Sequence, residues 1–350
     1  MTKRVALIFL CFILLFTVGC NSKPDDVSSE PQQQEEISSS QPVEDKVEYA
    51  INPLTGVAEL EKGTENNRPI AVMIEDSKIV QPYQCGLSEA DIVYETEVEG
   101  GITRIVALFQ DVSAAEKVGP VRSARYVFLD LALSHDAVYY HAGQDNYHIG
   151  SHFDLLDSLN LLNSDLGQRI PNGLATEHTF YVKTEKLVNY AQKKFRTSTN
   201  KTSNWQNFAD ENKSVTLPNT ANTVSLNFNV SANTTFKYNA ESGKYVRYTR
   251  DTLRKDYNTG ESVEFKNVFI LNTTIRIYPD CYDGNNHREV MLNSGDGYYC
   301  VNGTYVPIKW SKGAASNSFT FTNTDGSALE VNAGNSWVCI AGTSSIPQFS

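Results

Sequence analysis

The sequence predicts an α+β protein made of two unlike halves, a mixed α/β part followed by a β-rich part. Three observations point to it. In the first half, the continuous apolar run Ile70-Ala71-Val72-Met73-Ile74 and two further strand-like segments are interspersed with segments of helical spacing. A stretch at 197–222 dominated by Thr, Ser and Asn follows and reads as a linker. Beyond it, segments at 223–230, 235–238, 245–249, 263–278, 297–301, 305–310, 318–321 and 336–341 alternate or run apolar between Gly, Asn and Asp turns. No fixed-period repeat relates the halves, so they read as separate domains at 51–196 and 223–345.

The chain opens with the basic pair Lys3-Arg4, then twelve unbroken apolar residues from Val5 to Phe16, then Thr17-Val18-Gly19-Cys20. A stretch this short, ending in small residues, reads as a cleaved export signal rather than a permanent transmembrane helix. With cysteine at the cut, residues 1–19 resemble a bacterial lipoprotein signal, although Thr17 stands where leucine is usual. Cys20 is then lipidated, and the chain is held by its lipid at the extracytoplasmic face of the cell membrane. Cys11 does not compete, because the bulky Leu10 precedes it.

Residues 20–50 are rich in Ser, Gln, Pro and acidic side chains, with little to bury, and are expected to form a disordered acidic tether. Formal net charge is −11 for the 350 residues, and eight acidic against two basic residues fall between Asn21 and Ala50. No basic stripe is present, and export adds a second argument against a nucleic-acid partner. Four cysteines follow the anchor: Cys85, Cys281, Cys300 and Cys339. None forms a C-x-x-C, so they read as packed thiols or as a disulfide whose pairing the sequence leaves open.

Strands are expected at 70–74, 91–97, 102–110 and 137–141, with Gly100-Gly101 turning the second into the third as a hairpin. Apolar residues at 124, 127, 128, 131 and 132 predict a helix with Ser123 as its N-cap. Segments near 149–160 and 184–195 also read as helices. Glu95, Glu97 and Glu99 alternate along one strand and are expected to share a face, with Arg104 across the turn. Arg122, Ser123 and Arg125 then lie at a helix N-terminus, where backbone N–H groups and planar guanidinium forks favour carboxylate or phosphate. The expected ligand site is therefore Glu95, Glu99, Arg104, Arg122, Ser123, Arg125 and His141, the last closing the strand at 137–141.

Other chemistries find less support. His148 and His152 lie four apart beside Asp145 and Asp154, but Gly150 and Ser151 make poor helix and no H-E-x-x-H is present, so no metal is expected. There is no G-x-S-x-G, and no cofactor is implied. A glycan hydrolase using two of Glu75, Asp76, Glu95, Glu97 and Glu99 is the alternative to a binding protein. The aromatics of the second half, among them Tyr238, Tyr245, Tyr298 and Trp310, read as strand core.

Several motifs resemble one known family. They include Asn52-Pro53-Leu54-Thr55-Gly56, Arg68-Pro69-Ile70-Ala71-Val72-Met73-Ile74, Ala90-Asp91-Ile92-Val93-Tyr94-Glu95 and Glu99-Gly100-Gly101-Ile102-Thr103-Arg104. Gly119-Pro120-Val121-Arg122-Ser123-Ala124-Arg125 and His141-Ala142-Gly143 complete the first half; Gly297-Tyr298-Tyr299, Ile308-Lys309-Trp310-Ser311-Lys312 and Gly334-Asn335-Ser336-Trp337 continue it into the second. Together they resemble the YerB-like lipoprotein family, a domain of unknown function. The resemblance implies a sandwich-like N-terminal α/β domain, a smaller β-rich C-terminal domain and no assigned activity. Cys85 and His148 stand outside the family pattern. The expected function is a lipid-anchored envelope protein, more a binder than an enzyme, that holds an anionic ligand such as cell-wall glycopeptide, with docking to an envelope protein as the other possibility.

Overall fold

The computed structural model describes residues 48–281 and 284–350. The expected export signal, Cys20 and the expected tether up to residue 47 lie outside the described residues. Among those described, no helix is long and apolar enough to cross a membrane. Strands dominate an α+β architecture.

Strand β1 (Ile70–Glu75) is buried at all six positions, as its unbroken apolar run requires, because it lies inside an 11-stranded sheet with both faces covered. β2 (Ile92–Glu97) turns back into β3 (Thr103–Phe109), which pairs antiparallel with both β2 and β1. Gly100 and Gly101 make this turn at φ of 72° and 71°, a region that a side chain disfavours. On the far side of β1, β4 (Val138–His141) and β5 (Ser158–Asn160) add in parallel. The helix expected near 149–160 is replaced by a 3₁₀ segment, Gly150–Leu155, followed by β5. Gly150 and Ser151 disfavour an α-helix, and the edge of β4 offers residues 158–160 a ladder instead.

Helix α1 (Tyr126–Ser134) begins later than its apolar spacing predicts. Arg125 occupies the N-cap with no side-chain cap. Ser123 is not the cap, a correction with a clear cause: residues 120–124 run extended, spending their backbone groups on neighbouring strands. The Arg122 N–H donates to Met73 O at 3.0 Å and the Ala124 N–H to Gly143 O at 2.9 Å, while Ser123 Oγ donates to Ala142 O at 3.3 Å. β6 (Phe180–Lys183) leads into α2 (Thr184–Lys194), whose Lys193 and Lys194 sit in its last turn, where cations suit the helix dipole.

In the second half, β7 (Asn219–Thr220), β11 (Asn267–Thr273), β12 (Ser294–Val301), β13 (Thr304–Ser311), β14 (Thr320–Asn323) and β15 (Ser336–Gly342) belong to the large sheet. A second sheet of six strands contains β10 (Lys244–Thr249), β9 (Asn233–Asn239), β8 (Thr223–Asn227) and β16 (Gln348–Phe349), adjacent in that order. The large sheet runs β7-β13-β12-β11-β15-β2-β3-β1-β4-β5, with β14 also on β13. Thus β15, near the C-terminus, pairs in parallel with β11 on one side and β2 on the other. A single sheet therefore passes through both sequence halves, placing Trp337 opposite Val93 and Cys339 opposite Glu95.

Two apolar layers cover this sheet. One holds α1 against Ala71, Met73, Tyr94, Val106 and Tyr139; the other holds Leu187 of α2 and the six-stranded sheet against Val72, Val93, Ile105, Ile270 and Trp337. The polar stretch 197–222 also packs: Trp205, Ala209 and Val215 are buried, the Trp205 N–H donates to Pro53 O at 2.8 Å, and the Ala209 N–H donates to Val331 O at 2.8 Å. Cys85, Cys300 and Cys339 are free thiols buried as small apolar groups.

Candidate functional site

The alternation of β1, β2 and β3 sorts the charged residues onto opposite faces of the sheet. Glu75 and Arg104 share the face of Met73 and Val106, under α1; Asp76, Glu95 and Thr103 share the face of Ile105, under the six-stranded sheet. Two clusters result.

On the α1 face, Glu99 accepts from Arg125 Nε at 2.8 Å and from Arg125 Nη2, a bidentate pair, and from Arg104 Nη2 at 2.8 Å. Burial raises the Glu99 carboxyl, but the hydrogen-bonded Arg125 and the charge of Arg104 outweigh it and hold it at about 2. Arg104 is almost fully buried and donates from Nη1 to Ser123 O at 2.7 Å. Burial, with repulsion from Arg125, pulls its guanidinium down to about 9. Among the described residues its Nε finds no hydrogen-bond partner, nor does the buried Tyr139 hydroxyl of β4. Arg122 lies 3.4 Å from Glu75 through Nε and donates from Nη1 to Glu177 O at 3.1 Å. Glu75 also accepts from Ser77 Oγ at 2.7 Å and meets His178 Nδ1 at 2.9 Å. Three arginines thus gather around two carboxylates, with Arg122 and Arg125 reaching the surface at 23% and 13% side-chain exposure. Nearby, Asp145 accepts from His148 Nδ1 at 2.6 Å, and His287 Nδ1 lies 3.5 Å from Glu99.

On the opposite face, Arg247 of β10 is completely buried and grips Asp76 at 3.2 Å and 2.8 Å through Nη1 and Nη2. Its guanidinium lies over Trp337, 4.3 Å from the ring centroid, a cation–π contact. Glu95 accepts from Trp337 Nε1 at 3.0 Å. Thr103 Oγ1 is 2.9 Å from Asp76 Oδ2 and 2.9 Å from Glu95 Oε1. A hydroxyl carries a single proton, so it cannot donate to both carboxylates. Both contacts are satisfied when Glu95 is protonated and donates to Thr103, which donates to Asp76. The acidities agree: burial and neighbouring Asp76 push Glu95 up to about 8 against the pull of Arg247, whereas for Asp76 the Arg247 charge and hydrogen bonds overcome burial and lower it. One buried cation then faces one buried anion.

The residues singled out from sequence therefore separate. Glu99, Arg104, Arg122 and Arg125 converge. Ser123 joins them through its carbonyl. Glu95 lies on the other face, because alternation carries it away, and Glu99 sits beyond the strand in the turn. His141 is buried between Tyr139 and Phe153, with ring centroids at 5.4 Å and 5.0 Å, and its Nδ1 lies 2.6 Å from Gly143 O. Burial lowers it to about 4, a neutral packed histidine. Sequence reading missed Glu75 and His178 as parts of the arginine cluster, and Arg247 and Trp337 as partners of Glu95. Alternation along 70–75 signals Glu75; nothing local signals the other three. Among the described residues, no group of three or more His, Cys, Asp or Glu side chains is arranged to hold a metal ion.

Residues 54–200 match the N-terminal domain and residues 224–338 the C-terminal domain of the protein of unknown function DUF3048. The chain is 28% identical over 359 aligned residues, covering 97% of itself and 96% of the relative, to a Bacillus subtilis (strain 168) protein named as lipoprotein YerB. It also resembles the crystal structure of the YerB protein from Bacillus subtilis, with a TM-score of 0.71 and 26% identity, covering 86% of this chain and 99% of that one.

Proposed function

Because the chain belongs to the DUF3048 family and is similar over nearly its whole length to a protein named as lipoprotein YerB, we propose that it is a protein held by lipid at the extracytoplasmic face of the cell membrane that binds an anionic envelope ligand without turning it over. Cys20 is the anchor, and Arg104, Arg122 and Arg125 receive the ligand's carboxylate or phosphate. Cell-wall glycopeptide, bearing both carboxylates and hydroxyls, is the ligand class that this address favours.

One observation carries the reading. Three arginines meet the carboxylates of Glu75 and Glu99, and among the described residues the buried Arg104 Nε has no acceptor. A buried donor left unpaired costs about 1–3 kcal/mol, so an incoming anion has something to repair. Glu99 occupies the fork of Arg125. The ligand is therefore met first by Arg122, with Arg104 supplying charge from beneath. Glu95 has no part in this site, and its separation from Glu99 removes the support for glycan cleavage by that carboxylate pair. Substituting Arg122 and Arg125 together by alanine is expected to abolish retention on isolated cell wall while leaving the melting temperature within a few degrees of wild type. Full retention by a folded double variant would overturn the proposal.

A further inference from the structure

His178 closes a one-turn 3₁₀ segment, Thr176–His178, just before β6. Asn172 Nδ2 donates to His178 O at 3.0 Å, and the Val121 N–H donates to Phe180 O at 2.7 Å, which draws the start of β6 against the extended segment that bears Arg122. The imidazole is thereby brought to Glu75. Its Nδ1 lies 2.9 Å from that carboxylate while 14% of the side chain stays exposed, so a proton can reach the ring from water.

Glu75 is the junction of the cluster. Its side chain is almost wholly buried, and Ser77 Oγ at 2.7 Å and His178 Nδ1 supply its side-chain hydrogen bonds. Arg122 stands further off, with Nε at 3.4 Å and, among the described residues, no hydrogen bond through that atom. The remaining charges around the ring are Glu177, 4.0 Å from Nε2, and Arg169, which lies opposite Phe180 of β6 and acts on Glu177. Arg104 acts on Glu75 from the strand beside it.

A buried carboxylate requires a counter-charge, and histidine is the side chain suited to gain or lose one near neutral pH. With His178 neutral, Arg122 faces Glu75 as its counter-ion. With His178 protonated, a cation stands closer to Glu75 than Arg122 does, and the charge of Arg122 is left to the ligand. We propose that His178 is a proton-linked positioning residue of the arginine site: its protonation moves Glu75 from Arg122 to the imidazolium, so the anion is held more tightly as pH falls. The inference rests on the reading of Arg122 as the ligand's first contact. Linkage makes the effect reciprocal, so a bound anion also favours the protonated ring.

The test measures binding of the full chain in detergent to isolated cell wall at pH 5.5, 6.5 and 7.5 and constant ionic strength, a range in which the wall's carboxylates stay ionised. Wild-type affinity should rise about fivefold or more from pH 7.5 to 5.5, the lower end of ordinary coupling between two sites. His178→Gln, which keeps a neutral donor beside Glu75 but cannot take up charge, should give a flat profile. Glu75→Gln, which removes the need for a counter-charge, should also be flat and should bind more tightly than His178→Gln at pH 7.5. A histidine that only supports its loop would shift affinity equally at all three pH values and leave the slope unchanged. A flat wild-type profile, or a Glu75→Gln variant weaker than His178→Gln, overturns the proton link and leaves the arginine site standing. So does a His178→Gln profile as steep as wild type, which would assign the dependence to His148 or His287 beside Asp145 and Glu99. Absence of wild-type binding at all three pH values overturns the arginine site and the proton link together.

Discussion

Replacing Glu95 by glutamine tests whether the buried cluster under the six-stranded sheet holds one negative charge or two. If Glu95 is protonated, the amide copies its neutral form beside Thr103 and Trp337, and near pH 5.5 the substitution should cost less than about 1 kcal/mol, in the range of a single hydrogen bond. Replacing Asp76 by asparagine instead leaves Arg247 buried without its counter-charge, a loss of about 3–5 kcal/mol. The pH dependence adds a sign. The Glu95 pKa rises from an ordinary 4.5 to about 8 on folding, so between these values the folded state holds a proton that the unfolded chain lacks. Its contribution is complete below pH 4.5 and is lost as pH climbs to about 8, at a slope of up to about 1.4 kcal/mol per unit. Glutamine cannot lose that proton, so Glu95→Gln should gain on wild type as pH rises from 5.5 to 8. Urea denaturation at pH 5.5, 7 and 8 reads all three quantities. Parallel wild-type and variant curves across that range, or a glutamine variant as damaged as Asp76→Asn, would refute the shared-proton arrangement.

Three further outcomes follow from the same geometry. Cys20→Ala should release the protein from the membrane fraction, and equal partition of wild type and variant in detergent phase separation counts against lipid anchoring. Trp205→Ala should destabilise by about 3–5 kcal/mol, because the ring packs on Tyr94, Phe269 and Phe321; a change below 1 kcal/mol on urea unfolding would make 197–222 a mere spacer. Gly295→Ala should lower stability by about 1–3 kcal/mol, because the added Cβ would sit 2.3 Å from Asn272 O and 2.9 Å from Trp310 Nε1; thermal melting indistinguishable from wild type would contradict that crowding.

What the sequence discloses depends on how local the cause is. The run at 70–74 is apolar at every position because neighbours cover both faces of β1, and Gly100-Gly101 turns because its backbone has positive φ; both causes lie within a few residues of their effect. The N-cap misled because Ser123 has the right side chain but the backbone on either side of it pairs with Met73 of β1 and Gly143 beyond β4, an influence outside the local window. The separation of Glu95 from Glu99 follows from where β2 ends, and strand ends are set by register with β3 and β15. Nothing near Asp76 announces Arg247, 171 positions away. The polarity of 197–222 hid a buried Trp205, since one aromatic among hydroxyls and amides carries no period.

The two charge clusters are less independent than their opposite faces imply. Glu75 and Asp76 are consecutive at the end of β1, one directed to Arg122 and His178, the other to Arg247. Arg104 and Thr103 are likewise consecutive on β3, one binding Glu99 and the other bridging Asp76 to Glu95. Adjacent residues of an extended strand cannot exchange faces without reversing the register of the whole pair. Whatever fixes Asp76 and Thr103 therefore fixes Glu75 and Arg104. Arg247 and Trp337 come from the second half, so that half meets the arginine site directly through His287 and also clamps the reverse side of the strands that bear it. Disrupting Arg247 should on this reasoning weaken ligand retention through a displaced Arg104, whereas Glu95→Gln, which preserves the clamp, should leave retention intact; equal retention by folded variants of both kinds would uncouple the two faces.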